Sequence, residues 1–181
     1  MFSRNENGPT ASKVVIREYT QADRAAVRDL FIRVNRLLAP AHLKDAFESY
    51  IDLSLREEIE RIPDYYGERD GGFWVAAIDA EIVGMFGLER SRPAAMELRR
   101  MYVDPDRRRA GIGRALLGFA EDQCRARNAS RLELSTSETQ PEALALYRNS
   151  GFEPERAQIA PTANNKTVGG GIRRYYFTKE L

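Results

Sequence analysis

Apolar residues recur with a 3.6-residue period at Val27, Leu30, Phe31, Val34, Leu37 and Leu38, which predicts an amphipathic helix stopped by Pro40. Thr20 and Asp23 precede it at capping-box spacing, with Asp in the usual Glu/Gln place. A second run, Phe47, Ile51, Leu55, Ile59 and Ile62, predicts another helix stopped by Pro63. Both stripes are expected to be core faces. Ahead of them, Val14-Val15-Ile16 is β-branched and predicts a short strand. After Gly71-Gly72, the unbroken apolar run Phe73 to Ile78 predicts a buried strand. Asp79-Ala80 turns the chain into a returning strand, Glu81 to Arg90, where Gly84 and Gly87 mark a bulge or a close approach. A third strand is expected from about Ala95 to Val103, ended by Asp104-Pro105.

A helix running to about Asn128 then carries Leu116, Ala120 and Cys124 on one stripe, so Cys124 is expected to be a small core residue rather than a nucleophile. Arg131 to Thr136 predicts a strand. Thr139 and Glu142 have capping-box spacing, and Pro141 sits early in the helix they would start. Ala143, Leu144 and Tyr147 share one side of that helix, and Gly151 caps it. Residues 160–171 are polar and Gly-rich and predict a mobile loop before a last strand, Ile172 to Thr178. The pattern is a single mixed α/β domain over residues 13–181, behind a disordered arm at 1–12.

Composition narrows the function. The chain has 181 residues, with 28 Lys+Arg against 27 Asp+Glu and a formal net charge of +1. A dedicated nucleic-acid binder carries a clearer basic excess. The single cysteine excludes an intramolecular disulfide, and the single histidine, His42, argues against His-rich zinc sites and His-based triads. No apolar run approaches the roughly 20 residues of a membrane-spanning helix. A soluble cytoplasmic protein with no metal, nucleic-acid or membrane partner is therefore expected. The even charge hides a local cluster: Arg99, Arg100, Arg107, Arg108, Arg109 and Arg114 lie close together and suggest binding of a small polyanion.

The segment Arg108-Arg109-Ala110-Gly111-Ile112-Gly113-Arg114 sits between a strand and a helix. Helix starts present unpaired N–H groups and a partial positive charge, and glycines let the backbone approach a phosphate. A pyrophosphate cradle is the expectation; a tight turn with solvated arginines is the alternative. The P-loop pattern is absent. A dinucleotide fingerprint would need Gly or Ala where Leu116 stands.

These residues resemble the Arg/Gln-x-x-Gly-x-Gly/Ala motif of the GNAT superfamily of N-acetyltransferases. Glu97 to Pro105 resembles that family's central strand and turn. Gln140 to Phe152 resembles its second cofactor segment, ending Leu-Tyr-x-x-x-Gly-Phe. Together the similarity covers about residues 14–155 and the final strand. It implies a GNAT-type acyl-CoA fold, with a mostly antiparallel mixed sheet, helices on both faces and a split between the central strand and the next. It also implies an enzyme using acetyl-CoA as co-substrate. The backbone of Met101, Tyr102 and Val103 would pair with the pantetheine. The amides of Arg109 to Arg114 would hold the pyrophosphate, helped by Arg108 and Arg109. Gln140 stands where many members carry a cofactor-touching Asn. Tyr147 would be the acid and Glu97 the base, with Glu89 or a water chain as substitute. The acceptor implied is a small-molecule primary amine; the alternatives are a protein or peptide acceptor and a non-catalytic acyl-CoA-binding regulatory domain. Tyr65, Tyr66 and the 160–171 loop could wall the acceptor side, although an interface or packing role is favoured for the two tyrosines. Members often dimerise, so a homodimer exchanging edges of the last strands is a further expectation.

Overall fold

A computed structural model describes residues 13–181; the arm expected at residues 1–12 lies outside the described residues. The chain opens with β1 (Val15–Glu18), α1 (Arg24–Leu38), α2 (Lys44–Glu57) and α3 (Ile62–Gly67). The central strands follow: β2 (Gly72–Ile78), β3 (Glu81–Arg92) and β4 (Ala95–Val103). Then come α4 (Ile112–Ala126), β5 (Arg131–Ser137), α5 (Pro141–Asn149), β6 (Glu153–Ile159) and β7 (Arg173–Glu180). The strands form one sheet of order β1-β2-β3-β4-β5-β7-β6. Every neighbouring pair is antiparallel except β4–β5.

Both sheet faces are covered, which explains the unbroken apolar run in β2. Phe73, Val75 and Ala77 join the core under α1–α3, while Trp74 and Ala76 join the core under α4 and α5. Cys124 is buried in the second core. At the start of α1, the Asp23 carboxylate accepts the Thr20 N–H at 2.8 Å and its hydroxyl at 3.1 Å, so the expected capping box forms. Gly151, at φ +82°, ends α5 as expected.

Several expectations change. Pro63 opens α3 instead of stopping a helix, because proline fits the first turn where its missing N–H is not needed. The box at Thr139 does not form. Gln140 is the N-cap residue, the Thr139 hydroxyl turns to Ser137 at 2.7 Å, and Glu142 pairs with Arg108 at 3.2 Å. β6 has no counterpart in the sequence pattern. It is an exposed edge strand containing Pro154, with no apolar alternation to signal it. Residues 160–171 contain no helix or strand, yet Ala160, Thr167 and Val168 are buried and the segment folds back onto the body.

Two irregularities in β4 shape the site. Between Arg99 and Tyr102 the strand carries one residue more than β3 opposite, a bulge in which Arg100 takes φ +51°. On its other side β4 pairs with β5 only from Ala95↔Arg131 to Leu98↔Leu134. Beyond Leu98 the two parallel strands part, and a cleft opens at their C-terminal ends.

Candidate active site

The cleft leads into two cavities. The larger, of about 770 Å³, runs from Met101–Val103 past Arg107–Arg109 and Gly111–Arg114 to the α5 side chains around Tyr147. Asp104 shapes its rim: its carboxylate accepts two bonds from Arg33 of α1, at 3.0 and 2.7 Å, and the Asp106 N–H at 2.9 Å. The chain then climbs through Arg109 (φ +65°) and Gly111 (φ +77°) into α4. At Gly111 a left-handed conformation is required, and glycine adopts it without strain. The first amides of α4, at Ile112, Gly113 and Arg114, have no partner within the helix and face the groove mouth with the helix's positive end. A Cβ at Gly113 would stand 3.4 Å from Leu146 and narrow the groove there. Ala110 lies in the turn between the arginines and the helix.

The smaller cavity, of about 80 Å³, lies on the other side of the junction and is lined by Glu97, Tyr50, Ser137, Lys166 and Arg174 among others. Met101, Tyr102, Gln140, Ala143 and Tyr147 line both spaces. Tyr147 is 6% exposed, its ring edge-on to Phe152 at 5.7 Å, and burial raises its phenol pKa well above the ordinary value. The Thr136 hydroxyl donates to the Gln140 side-chain oxygen at 2.6 Å.

The arginine cluster divides. Arg107, Arg108, Arg109 and Arg114 line the large cavity, but Arg99 and Arg100 are buried away from it. The Arg99 guanidinium donates to Glu58 at 2.6 Å; that of Arg100 donates to the same carboxylate at 3.0 and 2.7 Å and also to the Tyr50 hydroxyl. The Tyr66 hydroxyl donates to Glu58 at 2.6 Å, and the Tyr65 hydroxyl donates to Glu89 at 3.0 Å. Both tyrosines are packing residues tied into this network. Tyr66 fills the space in which a side chain at Gly87 would lie. Burial pushes the Glu58 and Glu89 pKa values up, but neighbouring arginines, with Lys166 at Glu89, hold both below the ordinary carboxylate value.

Lys166 is the residue the sequence did not single out. Its ammonium lies 2.5 Å from Glu97 and 2.7 Å from Glu89, bridging the two carboxylates proposed from sequence as bases. A lone lysine in a polar loop of an arginine-rich chain was the only signal.

The model of the GNAT acetyltransferase family matches residues 36–152, most of the chain. The chain belongs to this family. Human N-acetyltransferase 8 is 34% identical to this GNAT protein over 120 residues, spanning 61% of this chain and 51% of that one. The N-acetylaspartate synthetase of Danio rerio is 34% identical over 106 residues, spanning 58% and 38% of the respective chains. The chain thus spans about half or less of the length of these curated relatives. Among solved structures, PaiA N-acetyltransferase from Thermoplasma acidophilum, in complex with coenzyme A, superposes with TM-score 0.72 at 19% identity, covering 93% of this chain and 99% of that one. That likeness establishes the GNAT fold, with its mostly antiparallel sheet. Among the described residues, no helix is long and apolar enough to cross a membrane.

Proposed function

We propose that this GNAT protein is an acetyl-CoA-dependent N-acetyltransferase that moves the acetyl group directly onto a primary amine of a small molecule. The observation that carries the reading is the junction of the two cavities at Met101, Tyr102 and Tyr147. One space has the size and cationic mouth for a phosphorylated co-substrate; the other is compact and polar.

Acetyl-CoA supplies an activated thioester. The amides of Ile112, Gly113 and Arg114 hold its pyrophosphate, and Arg108 and Arg109 add charge. Arg108 shares part of its charge with Glu142. The β4 edge left free by the departure of β5 offers Met101–Val103 backbone groups to the pantetheine and to the thioester carbonyl. Fixed donors of this kind are worth about 10²–10³ in rate each. Glu97 accepts a proton from the amine. Glu89, held at low pKa by Arg99 and Lys166, is the substitute base. Tyr147 gives its proton to the departing thiolate, a match between a phenol and a thiol whose pKa lies near 8.5. The narrow acceptor space favours a compact amine over a peptide.

Calorimetry with acetyl-CoA, followed by CoA-thiol release across amino acids, polyamines, amino sugars and peptides, tests the reading. Saturable binding and release with a small amine are expected. No binding at millimolar acetyl-CoA overturns it. Turnover confined to peptides moves the acceptor to proteins, and binding without any release makes the chain a regulatory acyl-CoA binder.

A further inference from the structure

We propose that Lys166 is a self-acetylation site: its side-chain amine occupies the acceptor position and takes the acetyl group when no free amine is present. The inference rests on the acetyl-transfer reading above. Lys166 Nζ sits 2.5 Å from Oε2 of Glu97, where the nitrogen of an acceptor must lie if Glu97 is to receive its proton. Lys166 also lines the small cavity that Tyr147 and Met101 close on the co-substrate side.

The presentation of this amine is built into the fold. The carbonyl of Asn165, the residue before it, accepts from the buried guanidinium of Arg99 at 3.1 Å and from that of Arg100. The Asn164 side-chain oxygen accepts the Lys166 and Thr167 N–H groups at 2.7 and 3.0 Å, closing a turn around the lysine. The side chain is 42% exposed, so it can enter and leave the cavity. Residue choice points the same way. The chain has only four lysines, Lys13, Lys44, Lys166 and Lys179, among its 28 basic residues. Arginine would bridge Glu89 and Glu97 at least as well, but it stays protonated and is no nucleophile.

The reaction balances without a further reagent. The Lys166 ammonium loses a proton to Glu97, and its nitrogen forms the bond to the acetyl carbon. The carbon–sulfur bond breaks, the CoA thiolate takes a proton from Tyr147, and the second proton shed by the nitrogen as it becomes an amide restores the phenol. The products are an acetyl-lysine amide, free CoA thiol and one proton released to solvent. The amide no longer pairs with Glu89 and Glu97, so the modification leaves Glu97 facing the cavity without this cation, while Glu89 keeps its pairing with Arg99 at 3.2 Å.

The test incubates the full chain with acetyl-CoA alone and maps acetylated peptides by mass spectrometry, with calorimetry on the same sample. Acetylation of Lys166 at least about tenfold faster than of Lys13, Lys44 or Lys179 is expected, because only Lys166 is held at the reacting centre. The rate per chain should not depend on protein concentration. Lys166→Arg should bind acetyl-CoA yet lose the label, and Tyr147→Phe should slow labelling about 10²-fold. Equal labelling of all four lysines, or a rate that scales with protein concentration, overturns the proposal. So does an unmodified Lys166 in a chain that binds acetyl-CoA and acetylates a free amine. Absence of acetyl-CoA binding overturns the underlying acetyl-transfer reading instead.

Discussion

A phenol can protonate a departing thiolate only if it keeps its own proton until the thiolate forms. In the proposed reaction, burial of Tyr147 meets this condition, since it raises the phenol pKa further above the ordinary value of about 10. The ring is fixed by Phe152 and Phe177, whose centroids lie 5.7 and 6.4 Å away. Removing only the hydroxyl leaves that packing in place. Tyr147→Phe should therefore lower kcat about 10²-fold while acetyl-CoA affinity and melting temperature stay near those of the parent. An equal loss of acetyl-CoA affinity would make the tyrosine a structural residue of the groove. The high pKa carries a second consequence: as the proposed acid, Tyr147 should keep working through the alkaline range in which an exposed tyrosine would titrate.

Between elements, the decisive contact is the one that holds the β4 bulge. Glu58, at the end of α2, is fully buried and joins Arg99, Arg100 and Tyr66. It thereby ties the helical layer to the strand segment that lines both cavities. Breaking one side of a buried ion network leaves charges unpaired and costs about 3–5 kcal/mol. Glu58→Gln should lower the urea unfolding midpoint by about 2 M, given a typical slope of about 1–3 kcal/mol per M. A midpoint within error of the parent would show that the arginines find other partners. None of this was legible in the sequence, where Arg99 and Arg100 looked like part of one anion site. Local patterns carried well: α1 from its apolar period, β2 from its unbroken run, the α4 entry from Gly111-x-Gly113. What escaped was set by tertiary neighbours. β6 carries no alternation because both its faces are exposed, and the bulge at Arg100 has no sequence signature. The cluster proposed as the acceptor side joins Glu89, Glu97 and Lys166, which are distant along the chain and meet only when the 160–171 segment folds back.

Across the whole molecule, carboxylates anchored by arginine set the response to acid. Asp23 pairs with Arg17 at 2.7 Å, and that bond, opposed by burial, takes its pKa from 3.8 to about 2. Glu58, Glu89 and Asp104 are shifted in the same direction. A lowered folded-state pKa means that the unfolded chain binds protons first as pH falls. The stabilisation is therefore complete above about pH 4–5 and is lost progressively as pH drops through the folded-state values. For Asp23 the loss is at most about 2 kcal/mol, and screening at the partly exposed Arg17 reduces it. The buried network at Glu58 adds to it, so the cores on both sides of the sheet should give way together rather than one at a time. Melting temperature measured from pH 7 down to pH 2 should hold steady above about pH 5 and then fall steeply in one cooperative step. Asp23→Asn should lower stability at neutral pH and make the acid limb shallower. A melting temperature that does not change down to pH 2 would mean that these ion pairs do not contribute to stability, and that packing alone holds β4 and its bulge in place.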